Sequence, residues 1–100
     1  MTHGPRVRIQ PAAQVDIASA LEWYGHRGID LAERFLGAFD ETMEIIVRMP
    51  DAFPVVHRQV RRALMRSFPY CIYYFVDGNR LVVIAVFHMR RDPDVLLSRD

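Results

Sequence analysis

Residues 68–88 read FPYCIYYFVDGNRLVVIAVFH, and the fold turns on this stretch. Asp77-Gly78-Asn79 is a tight-turn signal set between two apolar runs. The runs Tyr70 to Val76 and Arg80 to His88 therefore read as two strands of one hairpin. Side chains alternate along a strand. Tyr70, Ile72, Tyr74 and Val76 share one face, and Cys71, Tyr73 and Phe75 share the other. In the following strand Leu81, Val83, Ala85 and Phe87 oppose Val82, Ile84 and Val86. Both faces are apolar in both strands, whereas an antiparallel sheet with one wet face alternates apolar and polar. Each bare aromatic side chain forgoes roughly 1.5–3 kcal/mol of burial. Three coverings answer this surplus: the N-terminal region, the chain's own tail folded back over the sheet, or a partner that makes this protein half of a complex.

Upstream, Val56 to Arg66 reads as one more strand, with room for an interruption, and Phe68-Pro69 separates it from the hairpin. Near the start, Arg6-Val7-Arg8-Ile9 alternates as a half-buried strand does. Pro11 then fits a first helical turn. From Ala12 to His26 the apolar residues Ala13, Ile17, Ala20, Leu21 and Tyr24 recur at steps of three and four, one face of an amphipathic helix. Gly25 and Gly28 predict a left-handed cap at its end. Asp30, with Glu33 three residues on, predicts a capping box for a second helix to about Met49. That helix carries Leu31, Phe35, Phe39, Met43 and Ile46, with Leu36 and Val47 beside them, and Phe35, Phe39 and Met43 read as core. The short joint predicts an antiparallel helical hairpin. Asp92-Pro93 starts a last turn through Leu97. The predicted class is α+β: a two-helix hairpin packed on a small, mainly antiparallel sheet, in the order β-α-α-β-β-β. One domain fills residues 1–100, with 89–100 as a C-terminal tail.

The composition narrows the function. Of 100 residues, 51% are hydrophobic and 25% charged, which excludes a disordered or fibrous chain. The longest apolar run, Leu81 to Phe87, is seven residues, against about 20 for a membrane span. Cys71 is the single cysteine, so no disulfide and no cysteine-based zinc site is expected, and neither is any cofactor. A cytoplasmic location is the expectation. All 13 basic residues are arginine, as a codon bias would produce. They are also unevenly placed: Met1–Val56 holds five arginines against eight acids, and His57–Asp100 holds eight against four. The second half is thus a candidate surface for an anionic partner.

Enzyme motifs are thin: no HExxH, GxGxxG, P-loop, CxxC or GxSxG occurs. His88, before Met89-Arg90-Arg91, could exchange protons at a phosphodiester, with arginine stabilising the developing charge. It equally reads as a strand-end residue bonded to backbone. Arg58, Arg61, Arg62, Arg66, Arg90 and Arg91 could line one basic surface if their strands are neighbours, or form a solvated face suited to an acidic peptide.

The stretch Phe68-Pro69-Tyr70-Cys71-Ile72-Tyr73-Tyr74, the strand end Ala85-Val86-Phe87-His88 and the tail Arg90-Arg91-Asp92-Pro93 with Arg99 resemble the RelE/ParE superfamily of type II toxins. Ala13-x-x-Asp16-Ile17, Tyr24 and Ala32-x-x-Phe35 resemble its helical hairpin, so the match runs in the family's order over nearly the whole chain. The resemblance implies a toxin that arrests bacterial growth and is neutralised by a cognate antitoxin. RelE-like members cut mRNA on the ribosome; ParE-like members inhibit DNA gyrase and are not nucleases. The mRNA-cutting members often carry an Arg just ahead of the middle apolar strand and a Tyr at the end of the last one. Here Tyr70 and Met89 hold those places, which favours the ParE-like branch. The ribonuclease alternative would rest on His88 and Arg66. The resemblance implies a toxicity surface of Arg61, Arg62, Arg66, His88, Arg90, Arg91 and Arg99, and antitoxin contacts at Leu31, Phe35, Phe39, Tyr73 and Phe75. On this reading, truncation before Arg90 abolishes toxicity and leaves a folded, antitoxin-binding domain.

Overall fold

A computed structural model describes residues 5–99. Strand β1 (Arg6–Ile9) leads into helices α1 (Pro11–Gly25) and α2 (Ile29–Arg48). Strands β2 (Val55–His57), β3 (Val60–Leu64), β4 (Tyr70–Asp77) and β5 (Arg80–His88) follow, and a 3-10 helix (Pro93–Ser98) ends the described chain. The five strands form one sheet in the order β1-β5-β4-β3-β2. β1 runs parallel to β5, and the other neighbours are antiparallel.

The expected elements form, with three local differences. The Val56–Arg66 strand splits into β2 and β3 at a turn where Arg58 takes a φ of 52°. Pro11 opens α1 as anticipated, but no left-handed residue closes that helix: His26 is right-handed, and its N–H and that of Gly28 bond to the Glu22 and Tyr24 carbonyls. The Asp30 capping box does not form either, because Gly28 caps α2 and Asp30 falls within the first turn. There its charge still suits the positive helix start. The β4–β5 turn places Gly78 at φ 60°, a conformation that a residue with a Cβ adopts only with strain.

The sheet buries both faces. Towards the helices, Ala63, Met65, Ile72, Tyr74, Leu81, Val83 and Val86 pack against Ala13, Ala20, Phe35, Phe39 and Ile46. Tyr24, Phe35, Phe68 and Tyr70 make one aromatic contact group beside them; Phe35 stacks on Tyr24 with ring centres 5.4 Å apart and meets Phe68 edge-on at the same distance. This gives Phe68 and Tyr70 a packing role. On the opposite, outer face, Val60, Cys71, Tyr73, Val82, Ile84, Ala85 and Phe87 are sealed by Leu96 of the 3-10 helix, with Phe75 and Val95 half-buried beside them. Of the coverings open in the sequence, the folded-back tail is the one that forms among the described residues.

Strict alternation misassigns part of β5. The β4–β5 register shifts between Tyr73, paired with Ala85, and Tyr74, paired with Val83, so Ile84 is an extra residue on the β5 side. Such a bulge flips the side-chain phase. Leu81 and Val83 therefore face the helices, while Ala85 and Phe87, expected on the same face as them, lie on the outer face and Val86 turns inward.

Candidate functional site

The bulge precedes a polar contact between β5 and α1. The Val86 N–H donates to Oδ2 of Asp16 on α1 at 2.9 Å. The Asp16 carboxylate is also gripped by both guanidinium nitrogens of Arg99, one of which donates to the Ile84 carbonyl at 3.2 Å. The side chains are only 7% and 18% exposed, so this is a largely buried, bidentate ion pair. The Arg99 guanidinium also lies 4.8 Å from the centre of the Phe87 ring. Asp92 accepts from the Asp94 N–H at the start of the 3-10 helix. The tail is thereby clasped across the sheet to α1.

This arrangement changes the reading of the seven-residue toxicity surface, which does not assemble on one face. Arg99 is spent in the clasp. Arg61 points to the helix side, where it donates to the Asp51 and Phe53 carbonyls at 3.2 and 2.7 Å and ties down the loop before β2. Arg62 lies on the outer face, cross-strand from Tyr73. Burial pushes the Tyr73 hydroxyl and the Cys71 thiol up in pKa, with the Arg62 charge opposing the shift. Arg66 is exposed and reaches Glu41 of α2 at 3.4 Å. Arg90 is exposed, and Arg91 sits 4.2 Å over the Phe87 ring. His88 packs its ring against Tyr70, 5.4 Å centre to centre, and its Nδ1 accepts from the Arg90 N–H at 3.1 Å. His88 and Arg66 line two different clefts, one against Asp16, Trp23 and Arg91 and the other against Arg34, Glu41 and Phe68.

The candidate antitoxin contacts also separate. Phe35 is 0% exposed and Tyr73 3%, so both are core in this fold and offer no surface to a partner. Leu31 and Phe75 are half-buried on opposite sides of the sheet. Phe39, nearly buried, contributes to a groove of about 680 Å3 between β1 and α2. That groove is lined by Val7, Ile9, Met43 and Val47, with Asp40, Glu44 and Arg48 along the helix. β1 is an edge strand, and its side away from β5 carries no strand. Val7 is 45% exposed, and the strand is less buried among the described residues than its alternation suggests. Sequence reasoning placed Met43 and Val47 on the α2 stripe but not in a groove. Which stripe residues stay uncovered depends on how the helix lies across the sheet.

The layered arrangement, with a helical hairpin on a mixed five-stranded sheet, is that of the RelE/ParE toxins. It is similar to the chromosomal ParDE toxin–antitoxin system of P. aeruginosa, with a TM-score of 0.76 and 14% identity over 87% of this chain and 98% of that one. It is also similar to the RelBE2 toxin–antitoxin complex of Mycobacterium tuberculosis, with a TM-score of 0.61 and 22% identity over 86% and 99%. No curated protein matches the chain in sequence. The family model of the ParE toxin of the type II toxin-antitoxin system parDE matches residues 7–93, and the chain belongs to that family. No described helix is long and apolar enough to cross a membrane.

Proposed function

We propose that this toxin arrests growth by inhibiting DNA gyrase, and that its antitoxin neutralises it by occupying the groove between β1 and α2. The observation that carries the second part is the pairing of an apolar groove with an open strand edge. An extended segment can add to that edge through main-chain hydrogen bonds while its alternate side chains enter the groove between Val7 and Met43. Charge sets its orientation: Asp40 and Glu44 flank the helix side, and Arg6 and Arg8 lie on the opposite face of β1. The two solved structures described above come from toxin–antitoxin systems, which supports an antitoxin as the partner.

Family membership and the departures at Tyr70 and Met89 support gyrase as the target. The alternative is ribosome-dependent cleavage of mRNA through His88 and Arg66, and the likeness to RelBE2 gives it some weight. Its two residues line separate clefts, so a single reacting phosphate meets at most one of them in this conformation. Induced expression separates the readings when plasmid topology and mRNA integrity are followed side by side. Relaxed plasmid with intact mRNA is the expected outcome. Cleaved mRNA that disappears in His88→Ala would overturn it.

A further inference from the structure

A cleft of about 270 Å3 opens where α1 passes the end of β5, and it shares no lining residue with the β1–α2 groove. Ser19 and Trp23 of α1 line it, together with Tyr70, Phe87, His88 and Arg91. Asp16 also reaches it, with its charge already met by Arg99. Trp23, the chain's single tryptophan, is 50% exposed.

The walls of this cleft are held in place by the protein itself. The Arg27 guanidinium lies 3.3 Å from the centre of the Trp23 ring and donates to the Trp23 carbonyl at 3.0 Å. Tyr24 meets the same ring edge-on, 4.9 Å centre to centre. Ser19 and Trp23 also line a neighbouring cleft with Glu22 and Arg27, and Arg27 is absent from the first one. The indole therefore stands as a partition, with Arg27 on its far side. Across from it, the turn after β5 is fixed by backbone hydrogen bonds. The Met89 N–H donates to the Pro69 carbonyl at 2.7 Å, and the Arg91 N–H donates to the His88 carbonyl at 2.9 Å. Because Nδ1 of His88 accepts from the Arg90 N–H, the neutral ring carries its proton on Nε2, which remains a donor. Arg91 stacks over the Phe87 ring, an arrangement that leaves the N–H edge of a guanidinium available. Arg90 and Arg91 are exposed and pair with no carboxylate among the described residues.

Tryptophan and arginine carry a large share of the energy at protein interfaces, above all where they are rigid before binding. The indole gains from an apolar side chain laid against it, and a guanidinium edge takes a carboxylate with two hydrogen bonds. The cleft is smaller than the roughly 300–1,000 Å3 usual for small-ligand pockets, and so suits one or two side chains of a partner. A nucleic-acid strand needs a row of cations along its backbone. Here the unpaired cations sit in one turn, and Glu22 lies beyond the indole. We propose that this cleft is the surface through which the toxin holds its target, and that the occupant is an acidic segment of the target protein with an apolar side chain beside the acid. The proposal rests on the gyrase reading and adds to it the place and chemistry of the contact.

Binding of purified DNA gyrase to the full chain, followed with inhibition of supercoiling, tests it. Trp23→Ala and the double variant Arg90→Glu/Arg91→Glu should each weaken binding and inhibition at least about tenfold. Thermal midpoints and antitoxin affinity close to those of the parent show that the variants fold. Ser19→Glu, at an exposed position lining the cleft, sets a carboxylate against the acidic segment and should have the same effect should either variant fail to fold. With 5-fluorotryptophan in place of Trp23, the single fluorine resonance should shift when gyrase is added. Parent-like inhibition by folded variants overturns the proposal and leaves the gyrase reading standing. A parent chain that does not bind gyrase removes both. A fluorine resonance that shifts with a short single-stranded RNA and not with gyrase would assign the cleft to nucleic acid, and would also overturn it.

Discussion

The two most consequential side chains for stability are Asp16 and Arg99. Removing one partner of a buried ion pair leaves the other charge uncompensated, at a cost of about 3–5 kcal/mol. Arg99 keeps some solvent contact, so Arg99→Ala should fall near the lower figure, about 3 kcal/mol in urea denaturation. The double variant Asp16→Asn/Arg99→Ala should lose less than the two single losses added together; strict additivity would show that the clasp does not act as a unit. Tyr74 tests burial in a different way. Its ring is fully buried and its hydroxyl donates to the Pro50 carbonyl at 2.6 Å. Burial pushes its pKa up to about 12, with the Arg61 charge opposing the shift. The neutral form is favoured on folding, so its contribution is intact below pH about 10 and is lost as pH rises towards about 12. Tyr74→Phe should cost about 1 kcal/mol at neutral pH. It should also lessen the fall in stability between those two pH values, a fall to which the raised pKa values of Tyr24, Tyr70 and Tyr73 contribute as well. An identical pH slope in Tyr74→Phe and the parent would contradict this account.

Among the elements, the tail departs most from its sequence reading. The family reading expects a tail that can be cut before Arg90 without loss of the fold, but the 3-10 helix that Asp92-Pro93 starts is part of the core. Leu96 is 1% exposed and closes the outer face over Ile84 and Phe87. Leu96→Ala should cost about 2–5 kcal/mol and lower the thermal midpoint by roughly 10 °C or more. Truncation before Arg90 should therefore unfold the chain rather than leave a silent binding domain. A cooperative transition at an unchanged midpoint in that truncation would refute this. The strands and helices themselves were legible because their periods are long and their turns carry Gly, Pro and Asp. The face assignment after Ile84 was not, because a bulge leaves no mark in an all-apolar run. The clasp was also hidden, since Asp16 and Arg99 are 83 residues apart and neither sits in a local pattern. Of the candidate site, the resemblance brought Asp16 and Arg99 to notice, but their pairing with each other emerges only in three dimensions. On β1, Val7→Glu changes an exposed side chain and should leave folding intact while weakening antitoxin binding at least about tenfold. An unchanged affinity would move the antitoxin off the groove.

For the whole molecule, the uneven charge of the chain does not become two charged halves of the fold. The parallel β1–β5 pairing carries Arg6 and Arg8 from the acidic half of the sequence to the strand that bears Arg80. Arg61, Arg66 and Arg99, from the basic half, are meanwhile engaged by Asp51, Glu41 and Asp16. The apolar surplus is likewise resolved within the chain on the outer face, while the groove at the β1 edge remains open. That edge is where a partner has most to gain, and it is distinct from the Tyr70–His88 end of the sheet. Neutralisation by an antitoxin at the edge would act by covering a large part of a small protein. The most direct test is the supercoiling activity of purified DNA gyrase titrated with the full chain, with and without an equimolar amount of the antitoxin. Loss of supercoiling with the chain alone, and its return with the antitoxin, is the predicted result; normal supercoiling at saturating chain would contradict the account.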